Sequence, residues 1–149
     1  MELAIGQAKI AEQTDEVPIG AVIVRNGKVI AKTFNLMEKK QSATAHAEIL
    51  AIQKACKKIK SWRLLDCEMY VTVEPCAMCA GAIANARIKK VYFGAYETKS
   101  GCAESKYPIL ADNGLNHSVE YVGGVMEKQC AELLKNYFKE KRRKHIKIK

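Results

Sequence analysis

The sequence has no long apolar run and no export signal. No stretch approaches the roughly 18 uninterrupted apolar residues of a transmembrane helix, so we expect no membrane association. Residues 1–4 lack the basic segment and the apolar core that begin a secretory signal peptide. A cytoplasmic location is therefore expected, and in that reducing compartment the 6 cysteines are thiols or metal ligands rather than disulfides.

Acidic residues are outnumbered, with 16 Asp and Glu against 25 Lys and Arg, which gives a formal net charge of +9. Most of the excess lies in residues 135–149, where eight residues are basic and one is acidic. The charge allows a polyanionic partner without selecting one. The length of 149 residues predicts a single domain over 1–149, with a basic C-terminal helix and tail at about 126–149.

Internal repeats are absent, and the hydrophobic pattern alternates between helical and extended periods. Asn26-Gly27 predicts a hairpin turn, because both residues tolerate the positive φ of a type I′ turn. The order of elements predicts a three-layer α/β/α sandwich with a mixed five-stranded sheet. Helices are predicted at 2–13, 45–58, 75–86 and from 126, strands at 19–25, 28–34, 68–73, 90–94 and 118–122, and irregular connections at 35–43 and 95–117.

Two of the cysteines have the spacing of metal ligands. Cys76 and Cys79 follow Pro75, which suits the first turn of a helix because its missing N–H costs nothing there. At i and i+3 the two thiols share one face, and the positive end of the helix dipole favours the thiolates that zinc binds. From the spacing alone, a zinc site, a pair of buried thiols and a redox couple all remain open.

His46 and Glu48 stand at the start of another predicted helix, for which Thr44 is a candidate N-cap. A lone histidine is more often a structural residue than a ligand, and a lone glutamate is more often a solvated helix carboxylate. The presence of both favours a catalytic site. With Cys76 and Cys79, His46 makes three protein ligands, and three ligands with one open position describe a catalytic zinc. A carboxylate beside such a metal can take a proton from water and return it to a leaving group.

These residues carry a resemblance to a known family. His46-Ala47-Glu48 together with Pro75-Cys76-Ala77-Met78-Cys79 is similar to the signature of the zinc-dependent nucleobase deaminases. The wider sequence resembles the bacterial tRNA-specific adenosine deaminases from about residue 2 to about residue 143. The segments that carry this resemblance are 16–21, 44–49, 61–64, 70–82 and Asn116-His117, together with the C-terminal helix.

The resemblance implies a fold, a reaction and a set of catalytic roles. The fold would be cytidine deaminase-like, and the enzyme a homodimer with one zinc ion per subunit. Its substrate would be a tRNA anticodon stem-loop, in which the wobble adenosine is hydrolytically deaminated to inosine. His46, Cys76 and Cys79 would bind the zinc that activates the attacking water, and Glu48 would be the catalytic proton shuttle.

Three further positions match residues that bind the substrate nucleoside in this family. Asn35 would contact the nucleoside, Ala47 would hold the base through its backbone, and Pro18 would form part of the pocket wall. Without the resemblance, Asn35 would be a loop cap and Pro18 an ordinary strand entry. The sequence departs from the family's pattern at Ser42-Ala43, where Asp-Pro is usual, and over residues 101–108. The second departure concerns the RNA contacts rather than the zinc chemistry.

Two other functions remain open at this point. A free-base or nucleoside deaminase of the same superfamily, acting on guanine, cytosine or cytidine, would use the same chemistry. A nucleic-acid-binding module with structural zinc would need a fourth protein ligand, for which Cys56, Cys67 and Cys102 are distant candidates. The basic residues at 54–63 and 141–144 are candidates for phosphate contacts. The first set is at least as well explained as a solvated helix face, and cations like those of the second set are favourable at the C-terminus of any helix.

Overall fold

The computed structural model describes residues 1–111 and 115–147, and within them the predicted order of helices and strands is confirmed, with one added helix. Part of the predicted 95–117 connection, at 112–114, and the end of the basic tail, at 148–149, lie outside the described residues. The helices are α1 (Glu2–Gln13), α2 (Met37–Lys40), α3 (Ala47–Ile59), α4 (Ala77–Asn85) and α5 (Glu127–Lys147). The strands are β1 (Gly20–Arg25), β2 (Lys28–Phe34), β3 (Cys67–Val73), β4 (Lys90–Ala95) and β5 (Glu120–Val122).

The strands form one mixed five-stranded sheet in the order β2-β1-β3-β4-β5. β1 is antiparallel to β2 and to β3, whereas β3, β4 and β5 run parallel to one another. Asn26 and Gly27, between β1 and β2, have φ of 50° and 75°, as the predicted type I′ hairpin requires. The start of β1 and the carboxyl ends of β2, β3 and β4 therefore lie at the same edge of the sheet.

Helices cover both faces of this sheet. On one face α3 packs against β1, β2 and α4, over the larger apolar cluster, which includes Met69 and Phe93. On the other face α1 packs on β1 and β2, and α5 packs on β4, around a smaller cluster that includes Ile5 and Cys130. These layers confirm the three-layer sandwich, while the assignment of the whole chain to one domain stays a prediction. No helix in the described ranges is long and apolar enough to cross a membrane.

The added helix, α2, interrupts the irregular connection predicted at 35–43. The carboxylate of Glu16 accepts the backbone N–H groups of Glu38 (3.2 Å) and Lys39 (2.7 Å) at the start of this helix. Glu16 is 1% exposed and precedes Glu38 by 22 residues. The turn is thus stabilised by an acceptor for its free N–H groups that no local sequence pattern contains.

Candidate active site

Two helix N-termini meet at the sheet edge where β3 ends. His46 is the N-cap residue of α3, and Cys76 is the N-cap residue of α4. The Nδ1 atom of His46 lies 3.6 Å from Cys76 Sγ and 3.6 Å from Cys79 Sγ. The fold therefore brings together the three side chains that the sequence singles out as ligands, although 30 residues separate His46 from Cys76.

The starts of these two helices differ from the predicted ones. The sequence predicts Pro75 as the first residue of α4, but the helix begins at Ala77. Thr44 does not cap α3, because its Oγ1 lies 3.2 Å from Ser42 Oγ and His46 holds the N-cap position. A candidate ligand thus stands at the cap of each helix, where the positive ends of both dipoles favour thiolates.

The three side chains form a donor set that suits zinc. Their ligand atoms, one imidazole nitrogen and two sulfurs, all lie within 4.8 Å of one another. Bonds of tetrahedral zinc would separate such atoms by roughly 3.5–3.8 Å, and the observed nitrogen–sulfur distances of 3.6 Å agree. Within residues 1–111 and 115–147, no fourth cysteine or histidine joins the group. A tetrahedral ion held here would keep one position for water or substrate.

The imidazole and the two thiols share protons. Hydrogen bonds from Cys79 and His46 lower the pKa of Cys76 to about 4, against the effect of burial. The proton that Cys79 donates to Cys76, together with burial, raises the pKa of Cys79. The hydrogen bond with Cys76 likewise raises the pKa of His46. One thiolate is therefore stabilised by the protein alone, and a bound cation would take the place of the shared protons.

Glu48 is buried beside these ligand atoms without joining the group. Its side chain is 3% exposed, and its Oε2 lies 4.0 Å from His46 Nδ1. Burial raises the pKa of this carboxyl above its ordinary value, and a hydrogen bond with Cys79 acts in the opposite direction. A raised pKa shifts a carboxyl in the direction that general acid–base catalysis requires.

An open cavity of about 330 Å³ reaches His46, Glu48 and Cys76. Its volume falls within the roughly 300–1,000 Å³ of typical small-ligand sites. Since β1 begins and β3 and β4 end at this edge of the sheet, segments far apart in the sequence converge on the cavity. The remaining lining residues are Val17, Ile19, Val73, Glu74, Glu97, Ser100, Leu134, Lys135 and Phe138.

Asn35, for which the sequence predicts a substrate role, lies beside this cavity rather than in its lining. It follows β2 and is 3% exposed. Its Nδ2 donates to Glu16 Oε2 over 3.4 Å. It faces a neighbouring depression that shares Val17 with the cavity. The amide nitrogen is thus directed toward Glu16, and the substrate role of Asn35 stays a prediction.

Ala47 and Pro18 also lie behind the lining. Ala47 has no exposed surface, and its carbonyl accepts the Thr33 hydroxyl over 2.7 Å. As the first residue of α3, Ala47 has no acceptor for its N–H within the helix. Pro18 is buried between Val17 and Ile19, which themselves line the cavity. Pro18 therefore supports the wall from behind, and the substrate roles of Ala47 and Pro18 stay predictions.

Two buried carboxylates, those of Glu16 and Glu74, have roles that no sequence pattern predicts. Glu74 is 2% exposed and accepts hydrogen bonds from the loop after β4. Burial by itself raises the pKa of Glu74, but hydrogen bonds from Ser105, Glu104 and Glu97 together hold it below its ordinary value. For Glu74 the sequence does contain a signal, because a charged residue directly follows an apolar strand. A charge that is buried there requires hydrogen-bond partners.

The chain is similar over nearly its whole length to proteins of one kind. The family described as MafB19-like deaminase matches residues 1–142. The tRNA-specific adenosine deaminase of Bacillus subtilis (strain 168) is 48% identical over 97% of this chain and 89% of its own length. The tRNA-specific adenosine deaminase of Agrobacterium fabrum (strain C58) is 44% identical over 95% of this chain and 93% of its own length.

Solved structures show the same likeness. A structure from a study of A-to-I editing by tRNA:A34 deaminases at the wobble position of transfer RNA superposes with a TM-score of 0.87. It is 43% identical and covers 90% of this chain and 97% of its own. A guanine deaminase of Bacillus subtilis superposes with a TM-score of 0.63, at 42% identity over 65% of this chain and 62% of its own. The likeness to the guanine deaminase is therefore less complete.

Proposed function

The chain belongs to the family of tRNA-specific adenosine deaminases, and on that premise we propose that it converts adenosine to inosine at the wobble position of a tRNA anticodon loop. The reaction is a hydrolytic deamination, in which water replaces the amino group at C6 of adenine. The observation that carries the proposal is the position of a buried carboxylate, Glu48, beside His46, Cys76 and Cys79 in an open cavity.

His46, Cys76 and Cys79 are the proposed zinc ligands, with one ion per subunit. When bound, zinc supplies a Lewis acid that makes water nucleophilic near neutral pH. Two sulfurs and one imidazole nitrogen within 4.8 Å of one another support zinc over the oxygen-binding metals. Three protein ligands also support a catalytic ion over a structural one, which would be closed by a fourth.

Glu48 is the proposed proton carrier of the reaction. It takes the two protons of the attacking water in turn and delivers one to the adenine ring and one to the departing ammonia. Its burial supports this role, because a carboxyl that is 3% exposed exchanges protons with the substrate rather than with bulk water. Its distance of 4.0 Å from His46 Nδ1 places it near the ligands without making it one.

Asn35, Ala47 and Pro18 are the proposed nucleoside-binding residues around the reacting base. The Asn35 amide nitrogen is engaged by Glu16, which leaves the amide oxygen as the group to accept a hydrogen bond from the nucleoside. The Ala47 N–H is a free helix donor, and the small side chain of Ala47 allows the base to approach closely. Pro18 keeps the wall at Val17 in place.

The tRNA substrate must present its adenine out of the anticodon loop. Loop bases are weakly stacked, so extruding one costs less than extruding it from a duplex. Cations near the opening then hold the phosphates, and Lys135 in the cavity wall is placed to do so. A second groove, beside β2 and α3, supports a longer contact, since it is lined by Lys32, Lys40, Lys54 and Lys57.

A homodimer and a cytoplasmic location complete the proposal. Trp62 and Leu65 are 55% and 53% exposed and both lie in the segment after α3, where a second copy would cover them. Substitution of Leu65→Arg should then shift the mass measured by light scattering from two subunits toward one. The cytoplasmic location follows from the proposed substrate, because that is where mature tRNA is found.

A substrate panel tests the proposed function directly. Zinc-loaded protein is offered an anticodon stem-loop with adenosine at the wobble position, the same stem-loop with that adenosine moved, and free adenosine, cytidine and guanine. We expect inosine in the first RNA alone. Rapid turnover of guanine or cytidine without inosine in the RNA would overturn the proposal, and guanine is included because of the likeness to the guanine deaminase.

A further inference from the structure

The carboxylate of Glu74 collects the hydrogen bonds of one loop, residues 97–105. Glu74 is 2% exposed, so its partners replace the water that the carboxylate gave up on folding. Four backbone N–H groups and one hydroxyl converge on it, all from this loop. Oε2 accepts the N–H groups of Ala103 (3.1 Å), Glu104 (3.0 Å) and Ser105 (2.9 Å), and Oε1 accepts the N–H of Glu97 (3.2 Å) and the hydroxyl of Ser105.

The backbone of the loop fits closely against this carboxylate. The N–H of Cys102 donates to the carbonyl of Pro75 over 2.7 Å, which bonds the loop to the segment that leads into α4. A β-carbon on Gly101 would lie 2.4 Å from the carbonyl oxygen of Glu97 and 2.5 Å from the carboxyl carbon of Glu74. Only glycine permits such a close approach, so the contact between the loop and the carboxylate depends on Gly101 as well as on Glu74.

Glu74 itself lines the cavity and is close in sequence to the candidate ligands. It directly follows β3, and Pro75 alone separates it from Cys76. The loop that it holds contributes Glu97 and Ser100 to the cavity. The five donors come from the loop and none from a ligand residue. Loss of the carboxylate would therefore loosen the wall before it disturbs the ligand atoms.

We propose that Glu74 is a positioning residue for the substrate, which fixes the loop 97–105 as a wall of the cavity and thereby sets the affinity for RNA. This inference rests on the proposed function, because it concerns the substrate of the same site. The position requires a group that only accepts hydrogen bonds, since every partner is a donor. A glutamine here would turn its NH2 group toward N–H or O–H donors on one side or the other.

The first measurement needs no substrate. Amide hydrogen exchange is compared between the wild type, Glu74→Gln and the control Glu104→Gln, whose carboxylate lies in the same loop and accepts the Tyr121 hydroxyl over 3.0 Å. In Glu74→Gln the amides of residues 97 and 103–105 should exchange at least about tenfold faster, because each loses a charged acceptor. In the control they should stay near the wild-type rate. Unchanged exchange in Glu74→Gln would contradict the proposal.

The second measurement separates positioning from general destabilisation. For the anticodon stem-loop, Glu74→Gln should raise KM about tenfold or more, with kcat within about threefold and the zinc content unchanged. Glu74→Asp, which keeps an acceptor-only group, should recover part of this loss. Ser105→Ala removes one donor at little risk to folding and should raise KM about threefold. In the double variant the two effects should be less than multiplicative, because both act through one contact.

The outcomes separate this inference from the proposed function. If the wild type edits the stem-loop while the variants lose kcat or zinc with KM unchanged, Glu74 is not a positioning residue. If the double variant shows fully independent effects, Glu74 and Ser105 do not act through one contact, which also overturns it. A wild type that is inactive on the stem-loop would remove the proposed function and its substrate, and the exchange rates would then show separately whether Glu74 holds the loop.

Discussion

The two sides of the cavity are held in place differently. The metal side, which we define as His46, Glu48, Cys76 and Cys79, consists of cap and first-turn residues of α3 and α4. Both helices belong to the layer over the larger apolar cluster, in which Ala51 and Ile83 are fully buried. The positions of these side chains are therefore set by regular secondary structure that packs on the sheet.

The wall side, which we define as the loop 97–105 together with Leu134, Lys135 and Phe138 of α5, is only partly built on such a frame, because the loop belongs to no helix or strand. The loop is held mainly by hydrogen bonds to the carboxylate of Glu74, with further bonds to the Pro75 carbonyl and from the Tyr121 hydroxyl, and with Cys102 and Ala103 buried in the larger apolar cluster. Phe138 is 44% exposed, so α5 offers the cavity a surface that is open to solvent. The departure from the family's pattern at 101–108 begins within this loop.

This difference separates chemistry from substrate binding. Substitutions on the metal side should lower kcat or remove the metal, because they change the reacting groups themselves. Substitutions on the wall side should raise KM and leave kcat largely intact, because they change only how the substrate is held. The sequence can accordingly vary on the wall side while the chemistry is kept.

Replacing a ligand should have the largest effect. We expect Cys76→Ala to lose the metal and to lower deamination by at least about four orders of magnitude, since two remaining ligands cannot hold a catalytic ion. Zinc content by mass spectrometry and inosine formation are the measurements. The control is Cys56→Ala, which removes a thiol that donates to the Trp62 carbonyl and does not belong to the trio of His46, Cys76 and Cys79. A Cys76→Ala protein with full zinc content would show that the trio is not the metal site.

Replacing the proton carrier should have the next largest effect. Glu48→Gln keeps the shape of the side chain but cannot take up a proton, so kcat should fall about 10³–10⁴-fold while the zinc content stays at the wild-type level. Glu132→Gln, an exposed carboxylate on α5, serves as the control. Near-normal turnover by Glu48→Gln with zinc in place would show that another group carries the proton.

How far the sequence predicts this molecule depends on where the partners of each residue lie. α1 and the Asn26-Gly27 turn are predicted within a residue, because their periodicity and φ preferences are local. The trio is predicted because zinc restricts both residue type and spacing. α2 and the roles of Glu16 and Glu74 are not, since their hydrogen-bond partners stand 19 to 31 residues away.

Removing an aromatic side chain from the wall side should give a smaller effect, on KM rather than on kcat. Phe138→Ala should raise KM for the stem-loop about tenfold with kcat nearly unchanged, because stacking of a base on an aromatic ring is worth about 1–3 kcal/mol. Ile146→Ala, on the same helix and 75% exposed, is the matched control. A tenfold fall in kcat with KM constant would show that Phe138 affects the chemical step, as the residues of the metal side do, rather than substrate binding.

The end of α5, beyond the wall side, allows the finest comparison. Lys141 Nζ lies 2.7 Å from Asp15 Oδ2, and the Tyr137 hydroxyl donates to the Asp15 carbonyl over 3.2 Å. Asp15 directly precedes Glu16, so these contacts dock the helix on the segment that orients Asn35. Lys144 lies one turn further along the same helix and is exposed. The two lysines carry the same charge in different surroundings, and a truncation before both would confuse their roles.

Neutralising these lysines one at a time should give the smallest effects and separate docking from phosphate attraction. Lys144→Met should raise KM about twofold. It should also lower the slope of log KM against log salt concentration by about one, the change expected for one lost phosphate contact. Lys141→Met should raise KM by a similar factor and leave that dependence unchanged, because its charge is already balanced by Asp15. The KM change is small since exposed ion pairs contribute little. Equal reductions in salt dependence would mean that both lysines contact RNA phosphates and that the docking contact is incidental.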